Sequence, residues 1–186
     1  MAFGRGSAAS HPKIVAVGEI GLDYHWEDEC PREKQKEVLI AQLELAKKHD
    51  LPVVIHDREA HGDMMDILRK YKPKGVVHCF SGSAELAQET VKLGMYIGLG
   101  GVVTFKNARH SVEVAKTIPL DRLLTETDAP YMAPVPFRGK RCDSSMIPYD
   151  AAKIAEVRGI TAQEVLETAC ENACRLFGIT LPSAAK

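Results

Sequence analysis

No apolar run in the sequence approaches the ~20 residues a membrane-crossing helix needs. The opening Met-Ala-Phe-Gly-Arg-Gly-Ser-Ala-Ala-Ser lacks the apolar stretch of a signal peptide. A membrane is therefore not an expected partner. Neither sign of charge is in excess: 24 Lys and Arg face 25 Asp and Glu, a formal net charge of −1. That excludes a protein that grips a polyanion by bulk charge, but not one that handles phosphate through bound metal ions. Cysteine is sparse. The five are Cys30, Cys79, Cys142, Cys170 and Cys174, and no two form a Cys-x-x-Cys pair. An odd count without a signal peptide points to reduced thiols and a cytoplasmic protein.

What is present reads as a globular α/β chain, 45% hydrophobic and 26% charged. Its 186 residues suffice for one domain with a sizeable core. They are few for a complete (β/α)8 barrel, which typically takes ~250 and seldom under ~200. Residues 1–12 are small, polar and unpatterned and read as a flexible leader. Strands and helices then alternate. Five short apolar runs read as strands buried on both faces: Ile14–Gly21, Pro52–His56, Gly75–Phe80, Tyr96–Gly100 and Leu123–Asp128. Between and after them lie helical stretches. The first runs from Pro31 to Lys48 with Leu39, Leu43 and Ala46 on one face, the second from Ala60 to Tyr71 with Met64, Ile67, Leu68 and Tyr71 as its stripe. Others span Ala84–Leu93, Ser111–Lys116 and Pro148–Arg158, and the last opens with the capping box Thr161-Ala162-Gln163-Glu164 and closes near Phe177. This alternation predicts βαβ units, a parallel sheet and one domain.

Glu19, His56, His78 and Asp128 each fall at or near the C-terminal end of a different expected strand. In parallel α/β folds that edge carries the site. Four nitrogen and carboxylate donors on four strand ends converge on a divalent cation of the Zn, Mn, Fe or Mg kind. Glu126 and Asp57 are candidates to hold a histidine's tautomer, with a polar loop role as the other reading of Asp57. Arg58 shares the parity of His56 and is either a phosphate donor or one half of a surface ion pair. Arg138, Lys140 and Arg141 are either solvated surface or contacts to a nucleic-acid backbone. Tyr24 and Trp26 either stack on a base or pack in the core or at its rim.

The local words are more specific. Gly18-Glu19-Ile20-Gly21-Leu22-Asp23-Tyr24, Ile55-His56-Asp57-Arg58-Glu59, His78-Cys79-Phe80-Ser81-Gly82 and Thr125-Glu126-Thr127-Asp128-Ala129-Pro130-Tyr131 occur in that order. Pro136-Phe137-Arg138-Gly139-Lys140-Arg141 and Glu171-Asn172-Ala173-Cys174-Arg175-Leu176-Phe177 follow. From about His11 to Ile179 the chain resembles the TatD family of metal-dependent deoxyribonucleases.

The resemblance implies a TIM-barrel-like α/β fold of the amidohydrolase kind over residues 13–180. It implies one or two divalent metal ions (Mg, Mn or Zn) and hydrolysis of phosphodiester bonds in DNA, of the 3′-5′ exodeoxyribonuclease sort. Glu19, His56, His78 and Asp128 match metal ligands, with Glu19 bridging and Asp128 placed to take a proton from the attacking water. Arg58, Arg138, Lys140 and Arg141 are the candidate substrate contacts. Cys142-Asp143-Ser144 departs from the Asn-Glu-Pro common in such proteins.

The family pattern opens with a His-x-His strand, and no two of the seven histidines here are spaced by two. The chain thus reads as about five of eight barrel units, with weakened activity expected. Two open sheet edges would favour a homodimer or a complementing N-terminal segment. The alternatives are a non-catalytic barrel remnant that binds a partner and an amidohydrolase-type C–N or C–O hydrolase.

Overall fold

Alternation of apolar strands with amphipathic helices produces the expected architecture. The computed structural model describes residues 9–181. Five parallel strands form one sheet in sequence order: β1 (Val17–Asp23), β2 (Val53–Arg58), β3 (Gly75–Val77), β4 (Tyr96–Leu99) and β5 (Leu123–Thr125). Helices α1 (Arg32–Lys48), α2 (His61–Tyr71), α3 (Ala84–Lys92) and α4 (Arg109–Thr117) make the crossovers. Helices α5 (Ile147–Arg158) and α6 (Ala162–Phe177) follow β5. Each strand pairs with its successor, as in a barrel wall, and β1 and β5 are the edges among the described residues. No helix among those residues is long and apolar enough to cross a membrane.

Strand and helix ends differ from the sequence reading in explicable ways. Of the leader expected over 1–12, residues 1–8 lie outside the described part. Pairing of β1 begins at Val17 against Val53, three residues later than expected, because a turn closed by Ile14 N–H onto the His11 carbonyl holds the preceding segment away. β1 also extends to Asp23, which pairs with Arg58. β3 stops at Val77 rather than Phe80, since the backbone turns left-handed at Cys79 (φ 46). β5 stops at Thr125, so Asp128 sits in the following loop. The helix signals fare better. Leu39, Leu43 and Ala46 of α1 are buried, as are Met64, Ile67 and Leu68 of α2, joined there by Met65. Thr161 caps α6 by accepting from the Glu164 N–H at 3.1 Å, and Gly178 ends it in the left-handed region at φ 63.

The two faces of the sheet pack differently. Ile20, Leu22, Val53, Ile55, Val77, Ile97, Leu99 and Leu123 join the main core with helices α1 to α6. On the opposite face Val76, Tyr96 and Leu124, with Val54 beside them, pack against Ala173, Leu176 and Phe177 at the end of α6. Strand alternation carries this second face from Val54 to His56, from Val76 to His78 and from Leu124 to Glu126. The small apolar cluster is therefore the floor beneath the polar residues.

Candidate metal centre

Glu19 and Asp23 are four apart on β1, so both face the same side of the strand as Gly21. Gly21 permits the approach of β2: a Cβ there would lie 1.9 Å from the His56 carbonyl oxygen. The approach places His56 between two carboxylates, its Nδ1 2.7 Å from Glu19 Oε1 and its Nε2 3.1 Å from Asp23 Oδ2. Gln35 of α1 fixes Asp23 from behind. It accepts the Asp23 N–H at 2.8 Å and donates to the carbonyls of Asp23 and Cys30 at 3.0 and 2.8 Å. Beside them opens a groove of about 410 Å³ lined by Glu19, Asp23, Trp26, Cys30, Gln35 and His56.

His78 is held in the same manner. Its Nδ1 lies 2.8 Å from Glu126 Oε2 and its Nε2 3.6 Å from Asp128 Oδ1. The left-handed turn at Cys79 aims that residue's N–H at the other Glu126 oxygen, 2.5 Å away. Gly98 on β4 makes room, since a Cβ there would sit 2.5 Å from the Glu126 carboxylate carbon. The hydrogen bond to Glu126, and then the charges of Glu126, Glu19 and Asp128, raise the His78 pKa to about 9 against the opposing effect of burial. Burial and the same three carboxylates push the Cys79 thiol up to about 12. His78, Cys79 and Glu126 have donor atoms within 4.8 Å of one another.

The donor set fits a divalent cation. Glu19, Asp23, Glu126 and Asp128 are four carboxylates whose ion-pair partners are His56 and His78 alone, and no Lys or Arg among the described residues pairs with any of them. Such a group carries surplus negative charge at a half-open site, and nitrogen and oxygen donors of this kind suit Zn, Mn or Mg. The 3.6 Å between His78 Nε2 and Asp128 Oδ1 is too long for a hydrogen bond. It is near the ~3.4 Å separation of two tetrahedral donors each ~2.1 Å from one ion.

Of the sequence-derived residues, Glu19 lies against His56 and Asp128 lies 3.6 Å from His78, while His78, Cys79 and Glu126 form the one cluster among the described residues whose donor atoms all lie within 4.8 Å of one another. Asp23 was missed. Its signal lay in the strand parity it shares with Glu19, hidden because the strand was expected to end at Gly21. Asp57 does not support His56 and is not a loose loop residue either. It points to the other face and pairs with His61 Nδ1 at 2.7 Å, raising the His61 pKa. Arg58 is exposed at the end of β2. Tyr24 is buried and donates to Asp63 Oδ2 at 2.5 Å, whereas Trp26 is 51% exposed on the groove. Arg138 and Lys140 lie over the rings of Phe105 and Phe137, and Arg141 is exposed beside Asp143.

The comparisons with known proteins show the family. The model of the TatD related DNase family matches residues 5–178. Over 174 residues the chain is 49% identical to YabD of Bacillus subtilis, named an uncharacterized metal-dependent hydrolase, covering 92% of this chain and 68% of that one. It is 40% identical to YcfH of Escherichia coli K12, named in the same way, at 92% and 65% coverage. The crystal structure of YjjV, a TatD homolog from Escherichia coli K12, superposes with a TM-score of 0.85 at 38% identity, over 91% of this chain and 66% of that one. The chain thus spans about two thirds of the length of these relatives. With a family model matched from residue 5 to residue 178, the chain belongs to the TatD related DNase family.

Proposed function

We propose that this chain is a metal-dependent phosphodiester hydrolase acting on DNA, of the 3′-5′ exodeoxyribonuclease kind. One observation carries the reading: four carboxylates pair with two histidines above the second sheet face, and no Lys or Arg among the described residues pairs with them. Glu19, His56, His78 and Asp128 would hold one or two divalent metal ions. A cation bound there supplies neutralisation of the anionic phosphodiester and Lewis-acid polarisation. The chain's own side chains do the rest. Asp128, half-exposed and hydrogen-bonded by no side chain among the described residues, accepts the proton of the attacking water. Glu126 orients His78, and Gln35 orients Asp23 through its backbone. The half-open groove beside Glu19 and His56 admits an extended strand.

The relatives' printed names support the metal and the hydrolysis, and the family model's description supports DNA. The test is cleavage of a 3′-labelled oligonucleotide with Mg, Mn or Zn, beside simple amide and carboxylic ester substrates. Stepwise loss of the 3′ end, abolished in Glu19→Gln and Asp128→Asn, is expected. Cleavage of amides but not of DNA would replace the reading with C–N hydrolysis. No metal binding and no turnover would leave a non-catalytic fold.

A further inference from the structure

Two cysteines stand one turn apart on α6, and neither belongs to the group around His56 and His78. Cys170 is exposed, Cys174 is half-buried, and both are free thiols. The buried stripe of the helix is Val165, Ala169, Asn172 and Leu176, so the pair lies on a different face. Side chains four apart on a helix are neighbours, and these two thiols interact with each other. The helix that carries them is fixed at three points. Thr161 caps one end by accepting the Glu164 N–H, Gly178 closes the other with its N–H on the Cys174 carbonyl, and Asn172 holds the carbonyls of Leu120 and Leu123.

Sulfur chemistry decides what such a pair takes. Cβ atoms at this spacing in a helix lie ~5–6 Å apart, whereas a disulfide holds them at ~3.5–4.5 Å. Closing one would distort the end of α6, where Ala173, Leu176 and Phe177 pack against the sheet. Disulfide exchange also proceeds through a thiolate, and burial, then the neighbouring Cys174 and Glu171, raise the Cys170 pKa above its ordinary value. An ion between the sulfurs fits the spacing better: two metal–sulfur bonds of ~2.3 Å in line set the sulfurs ~4.6 Å apart. Among the described residues the group of three close His, Cys, Asp or Glu donors is His78, Cys79 and Glu126, not one on α6. The α6 pair therefore offers two sulfurs without a third ligand. That leaves a tetrahedral zinc ion short of donors and suits a soft cation that is satisfied by two.

We propose that Cys170 and Cys174 form a surface site for a soft, thiophilic cation of the Cu(I) class, held linearly between the two sulfurs. On binding, two S–H bonds break, two S–Cu bonds form and two protons pass to solvent, with no electron transferred. The exposure of Cys170 gives the ion its path in. The fixed helix holds the sulfurs in place beforehand, so little ordering entropy is lost. The carboxylates and imidazoles around His56 and His78 are harder donors, and the two places therefore sort ions by softness.

The full chain, reduced and kept free of oxygen, is titrated against Cu(I) held by bicinchoninate, whose colour fades as the protein takes the ion. The parent chain should remove about one equivalent that Cys170→Ser and Cys174→Ser each lose and that Cys30→Ser keeps. Cys170→Ser combined with Gln163→Cys restores the number of thiols but places the new one several turns from Cys174, and it should lose that equivalent too. Cys170 is exposed, so its serine variant is expected to keep the parental circular dichroism spectrum, which separates loss of the site from loss of the fold. Copper X-ray absorption of the loaded parent chain should show two sulfur neighbours. Unchanged uptake in Cys170→Ser, uptake recovered by the relocated thiol, or copper bound by nitrogen and oxygen would each overturn the proposal, as would a parent chain that takes no Cu(I) from the chelator.

Discussion

Nδ1 of His78 faces Oε2 of Glu126 at 2.8 Å, and the second oxygen of that carboxylate takes the Cys79 backbone N–H. Glu126 therefore fixes both the ring and the backbone of a metal-competent histidine, which leaves Nε2 turned toward Asp128. Support of this kind is worth about 10- to 100-fold in metal affinity. Glu126→Gln keeps the shape and is expected to weaken Mn or Zn binding by that factor in a calorimetric titration. It should also change the His78 tautomer pattern in ¹H–¹⁵N spectra. A variant with parental affinity and an unchanged His78 signal would show that the contact does not position the ring.

Asp150 is fully buried in the first turn of α5, and neither carboxylate oxygen has a hydrogen-bond partner. Burial, with the charge of Glu126 adding to it, raises its pKa to about 7 from an ordinary 3.8. The fold thus favours the neutral acid. Between about 4 and 7 the native state holds a proton that the unfolded chain has released, so this group makes stability fall as pH rises through that window. Above about 7 its effect is constant. Asp150→Asn should flatten the slope, and Asp150→Val should be the more stable chain at pH 8 by about 1–3 kcal/mol. Urea titrations at several pH values measure both. A parental slope retained in Asp150→Asn would assign it to another group.

Asn172 is buried within α6, and its side-chain NH₂ donates to the carbonyls of Leu120 and Leu123 at 2.9 and 2.8 Å. One amide thus ties the last helix to the start of β5. Its neighbours Ala173, Leu176 and Phe177 lie against the floor of the site. Asn172→Leu leaves two carbonyls unpartnered at about 1–3 kcal/mol each. A melting temperature lowered by several degrees is expected, whereas an unchanged one would mean that the carbonyls find other donors.

Ile14 and Val15 are each 40% exposed just before β1, whose outer edge pairs with no strand among the described residues. An edge strand with apolar neighbours and free backbone groups invites pairing with another chain. Sedimentation velocity should show concentration-dependent association, reduced when Val15→Lys places charge at that edge. A monomer at every concentration would count against it.

Much of this architecture was legible in the sequence. Short apolar runs between amphipathic stretches specified five strands and their crossover helices, because hydrophobic periodicity is a local property. The Glu19, His56, His78 and Asp128 words could be assigned to four different strand units for the same reason, although Glu19 falls in the first half of β1 and Asp128 three residues past β5. Pairing was not legible. That His56 meets Asp23, and that Asp57 turns away to His61, depends on the register of β1 against β2 and on where β1 ends. The close approach at Gly21 set that register. The burial of Asp150 depends on everything packed around α5. Sequence by itself determined which elements form and which donors they carry. Only the tertiary structure decided which donors share a charge, because electrostatic partnership depends on distances between strands that no local pattern encodes.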